Sequence, residues 1–124
     1  MKRLSESRMH ALWRKAVLIK HFHACAFCEK YGDENLQCHH IVYRRKLLTR
    51  WDWKNGIALC HECHRKAHTK AGEIMISKKH PYYDDLIERE NLISKDLFVR
   101  DGVTNSEYYR LQADEMTAII KGER

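Results

Sequence analysis

The stretch Asn55-Gly56-Ile57-Ala58-Leu59-Cys60-His61-Glu62-Cys63-His64-Arg65-Lys66-Ala67-His68 decides how this chain is read. Asn-Gly is a strong turn signal, and the apolar run Ile57–Cys60 after it suits a short strand. From Glu62 to about Ala71 the residues suit a helix, which Gly72 would close. On that helix His64 and His68 stand four apart, so they share a face and are able to ligate one ion. Cys60 and Cys63 are separated by two residues, which lets both sulfurs turn toward one tetrahedral metal.

Working toward the N-terminus, Cys25-Ala26-Phe27-Cys28 repeats the two-residue cysteine spacing. A single such pair is also compatible with redox chemistry. Two pairs favour a structural zinc site over disulfides, although their separation exceeds the common ribbon spacing. The fifth cysteine, Cys38, is left over and reads as a small buried hydrophobe. Tyr31 to Asn35 forms a turn. Leu36-Gln37-Cys38-His39-His40-Ile41-Val42-Tyr43 reads as a strand, β-branched and aromatic toward its end. Adjacent His39 and His40 then point to opposite faces unless the strand bends, which allows them different tasks. Between the strands runs a basic loop, Arg44-Arg45-Lys46-Leu47-Leu48-Thr49-Arg50-Trp51-Asp52-Trp53-Lys54. Asn55, at the entrance of the second strand, is placed to brace the loop that bears His40.

Residues 5–20 read as a helix, with Met9, Leu12, Trp13, Ala16 and Lys20 at helical spacing. Beyond Pro81 a helix is expected from Asp84 or Asp85 through Phe98, with Leu86, Glu90, Ile93 and Leu97 on one stripe. Gly102 breaks it, and Thr104 or Asn105 caps a last helix carrying Tyr108, Leu111, Met116, Ile119 and Ile120. The expected architecture is α+β: a ββα core over 25–70, an N-terminal helix, and a helical extension over 82–121. All of it would form one domain spanning 1–124.

The chain is 44% hydrophobic and 32% charged, which suits a soluble globular protein and excludes a disordered or fibrous one. It contains neither a membrane-length apolar run nor the apolar core of a signal peptide, so a cytoplasmic location is expected. The net charge of +6 is unevenly distributed, with +9 over residues 1–70 and −3 over 71–124. A basic half attracts a polyanion and loses affinity as salt rises. On charge alone a plain solvated surface is the slightly better explanation, and nucleic acid is suggested without being required. The acidic C-terminal helices are expected to cover the ββα unit, with some self-association or protein docking.

Taken together, Cys25-x-x-Cys28, Cys38-His39-His40-Ile41, Asn55-Gly56-Ile57-Ala58-Leu59-Cys60-x-x-Cys63-His64 and His68 resemble the HNH endonuclease motif in its ββα-metal form. The lettered positions fall on His40, Asn55 and His64. The resemblance implies that His39, His64 and His68 ligate a catalytic divalent ion, drawn from Mg²⁺, Mn²⁺, Ni²⁺ or Zn²⁺. It implies further that His40 is the general base and that Asn55 holds the loop positioning it. Cys25, Cys28, Cys60 and Cys63 would hold structural Zn²⁺. Small free-standing members resemble proteins of bacteriophages and mobile elements, which would put this one in a bacterial host.

The chemistry suits those residue types. A histidine base works near neutral pH, and a cation answers the poor leaving group of a phosphodiester. Three neutral imidazoles leave coordination positions open, as a catalytic site requires. Arg44, Arg45, Lys46, Arg50, Arg65 and Lys66 are the expected phosphate contacts, while Trp51 and Trp53 are expected in the core or beside a base. Each histidine alone is better read as an ordinary packed residue; the combination is what points to a metal-dependent DNA endonuclease. The competing expectation is a zinc-binding nucleic-acid adaptor without catalysis, whose binding would survive loss of His40.

Overall fold

The computed structural model describes residues 5–42, 49–92 and 105–122. Helix α1 spans Glu6–Lys20, and its Ser5 cap accepts a hydrogen bond from the Arg8 backbone N–H. It buries Met9, Trp13, Ala16, Val17 and Leu18, a broader stripe than the expected one; Lys20 lies instead with its ammonium over the Trp53 ring. Phe22 and His23 follow in left-handed backbone (φ 57° and 58°), which turns the chain sharply into the cysteine segment. For non-glycine residues such a conformation costs roughly 1–2 kcal/mol each. It is held by His23 N–H donating to Leu18 O, Gly32 N–H donating to His23 O, and the His23–Asp33 side-chain contact of 2.7 Å.

Strands β1 (Leu36–His40) and β2 (Gly56–Cys60) pair antiparallel, with Leu36 opposite Cys60 and His40 opposite Gly56. β1 is shorter than the expected strand, and Ile41 and Val42 leave the ladder as a bend. Alternation divides the two faces. Cys38 and His40 face α1: the Cys38 thiol donates to Arg14 O, and His40 stacks on Trp13. Gln37 and His39 face the helix that follows β2. Gly56 is required where α1 crosses the sheet, because a Cβ there would stand 2.3 Å from Val17 Cγ2 and 2.8 Å from the Trp13 ring.

Helix α2 (His61–Ala67) starts directly from β2, and α3 (Lys70–Lys79) follows after only two residues. The expected single helix closed by Gly72 is therefore corrected to two helices, and Gly72 lies in the first turn of the second. Thr69 makes the break. Its hydroxyl donates to Lys66 O and accepts from Gly72 N–H, capping α3 at the point where α2 ends. Gly72 serves this corner by close approach, since a Cβ there would fall 1.9 Å from Lys66 O. Sequence reasoning saw the glycine and mistook a packing need for a stop.

Helix α4 begins at Tyr83, as the sequence suggested within a residue or two, and is described to Leu92; the expected stripe residues Ile93 and Leu97 lie outside the described residues. Helix α5 (Asn105–Ile120) packs along α1, burying Ala113, Met116 and Ile119 against Met9, Trp13, Ala16, Val17 and Trp51. Leu111, expected on the buried stripe, is 62% exposed, and Ala113 takes its place. A second cluster joins Leu18, Leu36, Ile57, Leu59 and Ile76 between α1, the sheet and α2–α3. Each large side chain so buried contributes roughly 1.5–3 kcal/mol. The chain is thus a small α+β fold with a two-stranded sheet at its centre. Among the described residues no helix is long and apolar enough to cross a membrane.

Candidate metal centre

Two clusters of metal-ligating side chains share the β2–α2 segment. At the first, the sulfurs of Cys25, Cys28, Cys60 and Cys63 all lie within 4.8 Å of one another, and those of Cys28 and Cys60 are 3.6 Å apart. Four thiolates around one zinc at about 2.3 Å stand roughly 3.8 Å apart, so the donor set fits that ion closely. Local backbone explains the convergence. Cys25 N–H donates to Lys30 O, Glu29 N–H donates to Cys25 O, and Glu29 takes left-handed backbone (φ 65°), which folds the first pair into a knuckle. Ala26 N–H donates to Ala58 O and ties that knuckle to β2 beside the second pair.

Burial pushes the Cys25 thiol up, but backbone N–H groups of Cys28, Cys60 and Phe27 outweigh it and bring the group down to about 7. Burial, and the thiols beside it, push Cys63 up. A crowd of sulfurs that stabilises one negative charge and resists the next is what a cation relieves. Cys38 belongs to neither cluster: burial pushes its thiol up to about 12, and it stays a protonated donor to Arg14 O.

The second cluster is histidine alone. His39 from β1, His64 from α2 and His68 just past its end bring one ring nitrogen each within 4.8 Å of the others. His64 Nε2 and His39 Nδ1 are 3.2 Å apart. Two imidazoles on one ion at about 2.1 Å stand roughly 3.0–3.4 Å apart for angles between octahedral and tetrahedral, so the set fits a shared divalent cation. Burial first, then the neighbouring His64, His68 and His40, lowers His39 to about 4. Burial also lowers His64. These rings are therefore neutral near pH 7, with lone pairs ready for a ligand. His64 Nδ1 is hydrogen-bonded to Gln37 Oε1, which must accept, so the proton sits on Nδ1 and the facing Nε2 is bare. Gln37 was not singled out from sequence, although its position two residues before His39 on the same strand face is a readable signal.

His40 occupies the other face at the end of β1. Its ring stacks on Trp13 at 3.9 Å between centroids and 6° between planes, and its Nε2 lies 3.1 Å from Arg50 O. A carbonyl only accepts, so this contact assigns the proton to Nε2 and makes Nδ1 the basic nitrogen. His40 stands near enough to His39 to help depress it. Asn55 is fully buried, and its carboxamide takes both backbone groups of Val42: Oδ1 accepts from Val42 N–H at 2.7 Å and Nδ2 donates to Val42 O at 3.1 Å. The asparagine thus pins the chain two residues beyond His40.

Of the expected phosphate contacts, Arg65 and Lys66 are exposed on α2 beside His64. Arg50 is ion-paired with Glu6, and its guanidinium lies 4.9 Å from the Trp51 ring. Arg44, Arg45 and Lys46 lie outside the described residues. Trp13 and Trp51 are core residues, whereas Trp53 is partly buried between the Lys20 and Lys54 ammoniums and donates to Glu115. Trp13 beneath His40 could not be foreseen, because only the crossing of α1 over the sheet brings residues 13 and 40 together.

A two-stranded ribbon and following helix, a three-imidazole cluster spanning them, and a four-thiol knuckle define a ββα unit built to hold metal. Residues 25–70 match the family model described as HNH endonuclease. No curated protein and no solved structure matches the chain.

Proposed function

We propose that the protein is a metal-dependent endonuclease that hydrolyses DNA phosphodiester bonds. The observation that supports this most is the convergence of His39, His64 and His68, whose cluster has no fourth protein ligand among the described residues. A closed structural site would have four; three leave room for water and a phosphate oxygen. A divalent ion at that position would supply Lewis-acid stabilisation to the scissile phosphate and the leaving 3′ oxygen.

The chain's own residues do the rest. His40 Nδ1 accepts the proton of the attacking water, while Nε2–H donates to Arg50 O and Trp13 holds the ring plane. Asn55 keeps Ile41 and Val42 in place and so fixes the end of the strand bearing His40. Arg65 and Lys66 meet backbone phosphates, joined by Arg44, Arg45 and Lys46 from the loop between the strands. The products are a 5′-phosphate and a 3′-hydroxyl. Nothing among the described residues supports self-association, since the apolar face of α5 is spent on α1.

Supercoiled plasmid incubated with the zinc-loaded protein and Mg²⁺, Mn²⁺ or Ni²⁺ tests this reading. Nicking is expected, and His40→Ala should lower its rate by about 10²–10⁴-fold with folding retained. Equal nicking by both proteins rejects His40 as the base. DNA binding that survives His40→Ala without any cleavage by the parent would make the protein an adaptor.

A further inference from the structure

Two histidines outside the matched segment grip the turn that carries Asn55. His21 caps the end of α1 and His80 follows α3, so both lie beyond residues 25–70. His80 Nε2 is 2.7 Å from Lys54 O, and His21 Nε2 is 3.3 Å from Gly56 O. Between them, Asn55 O accepts from Ile41 N–H at 3.0 Å. Three successive carbonyls are therefore satisfied, two of them by imidazole. The rings stack at 6.5 Å between centroids and 15° between planes. His80 is 7% exposed; with its proton on Nε2, its Nδ1 is a bare acceptor and has no hydrogen-bond partner among the described residues. Burial lowers the pKa of both groups and keeps them neutral.

We infer that His21 and His80 are positioning residues, clamping the Lys54–Gly56 turn from both sides so that the Asn55 carboxamide keeps its double hold on Val42. The inference rests on the roles proposed above for His40 and Asn55. The turn needs outside support because Trp53–Asn55 is one turn of 3₁₀-helix, a form with poor hydrogen-bond geometry. A displacement of the Lys54 or Gly56 carbonyl would swing the Asn55 side chain away from a backbone pair that it meets at 2.7 and 3.1 Å. The clamp joins both flanking helices to the HNH core, making α1 and α3 part of the site's support.

The test compares His80→Leu, which removes the donor, with His80→Gln, which offers an N–H at similar reach, in the full-length zinc-loaded protein. Hydrogen exchange at the Val42 amide, followed by NMR, should accelerate about tenfold more than at β2 amides in His80→Leu, as loss of one hydrogen bond implies, and recover in His80→Gln. The kcat for plasmid nicking should fall and recover in parallel, with KM for DNA unchanged. His21→Leu should act in the same direction with a smaller effect. Unaltered Val42 exchange in His80→Leu, or acceleration spread equally over β2, overturns the clamp. Should that variant not fold, the ring tautomers of the parent decide: ¹⁵N spectra with the proton on Nε2 of both rings support the clamp, and an Nδ1–H ring rejects it. A parent that loses Val42 protection on substitution but cleaves nothing would sink the nuclease reading and leave the clamp standing.

Discussion

The thiol knuckle and the imidazole cluster share one short segment, β2–α2, and differ in almost every physical respect. Cys25, Cys60 and Cys63 are buried, with Cys28 alone on the surface, and the four sulfurs lie within 4.8 Å of one another. The three imidazoles are half-buried to exposed and, among the described residues, one ligand short of closure, and burial lowers the pKa of His39 and His64. Four anionic sulfurs around a cation leave no room for substrate, so that end stabilises. Three imidazoles would leave a cation most of its charge and some of its coordination sphere, which suits the reaction proposed for that cluster. The β2–α2 segment places a four-thiol cluster and a three-imidazole cluster within a few residues.

Breaking the first end should have the largest effect. Structural zinc of this kind contributes on the order of 10–16 kcal/mol of binding free energy to folding. Cys60→Ser should therefore abolish the cooperative thermal transition seen by circular dichroism and remove the bound zinc, whereas His64→Ala should keep the transition. A Cys60→Ser protein that melts like the parent would show that the knuckle does not hold this fold.

The second end sharpens through Gln37. With its carboxamide on His64 Nδ1, it sets which nitrogen faces the other ligands. Gln37→Leu should weaken divalent-ion affinity at the imidazole cluster by roughly 10–100-fold, measured by Co²⁺ titration, while knuckle zinc and Tm stay as in the parent. Unchanged affinity would mean that His64 orients itself without help.

The smallest effect concerns acid stability. Burial lowers the pKa of His21 and His80, so the unfolded chain takes up protons before the folded one as pH drops below the ordinary histidine value. Their contribution is complete above that value and is lost as pH falls toward the depressed folded values. His80→Gln removes one such group, so Tm should decline less steeply with acid than in the parent, measured by calorimetry over that range. The cysteine knuckle contributes equally to both curves, and parallel curves would refute the linkage.

Much of the core was legible because its signals are local. Two-residue cysteine spacing, Asn-Gly before an apolar run, and histidines four apart each follow from turn and helix geometry. Helical spacing over residues 5–20 located α1 almost to the residue. Gly72 was misread because a helix stop and a close helix–helix corner both call for a glycine, and the contact with Lys66 O that separates them is tertiary. Leu111 was placed on the wrong stripe because helical periodicity does not say which face meets α1. Arg50, read as a phosphate contact, shares its charge with Glu6, a partner 44 positions away that no local pattern points to.

The sequence by itself determined which side chains are available to hold metal and that they fall on a strand, a turn and a helix, since spacing alone aligns ligands along one element. Only the tertiary structure decided how those elements are held: α1 crossing the sheet at Gly56 brings Trp13 under His40, and His21 and His80 close on the Asn55 turn from either side. Ligand spacing is a property of backbone geometry over a few residues. Support for a site comes from residues distant in the chain, and only packing brings those together.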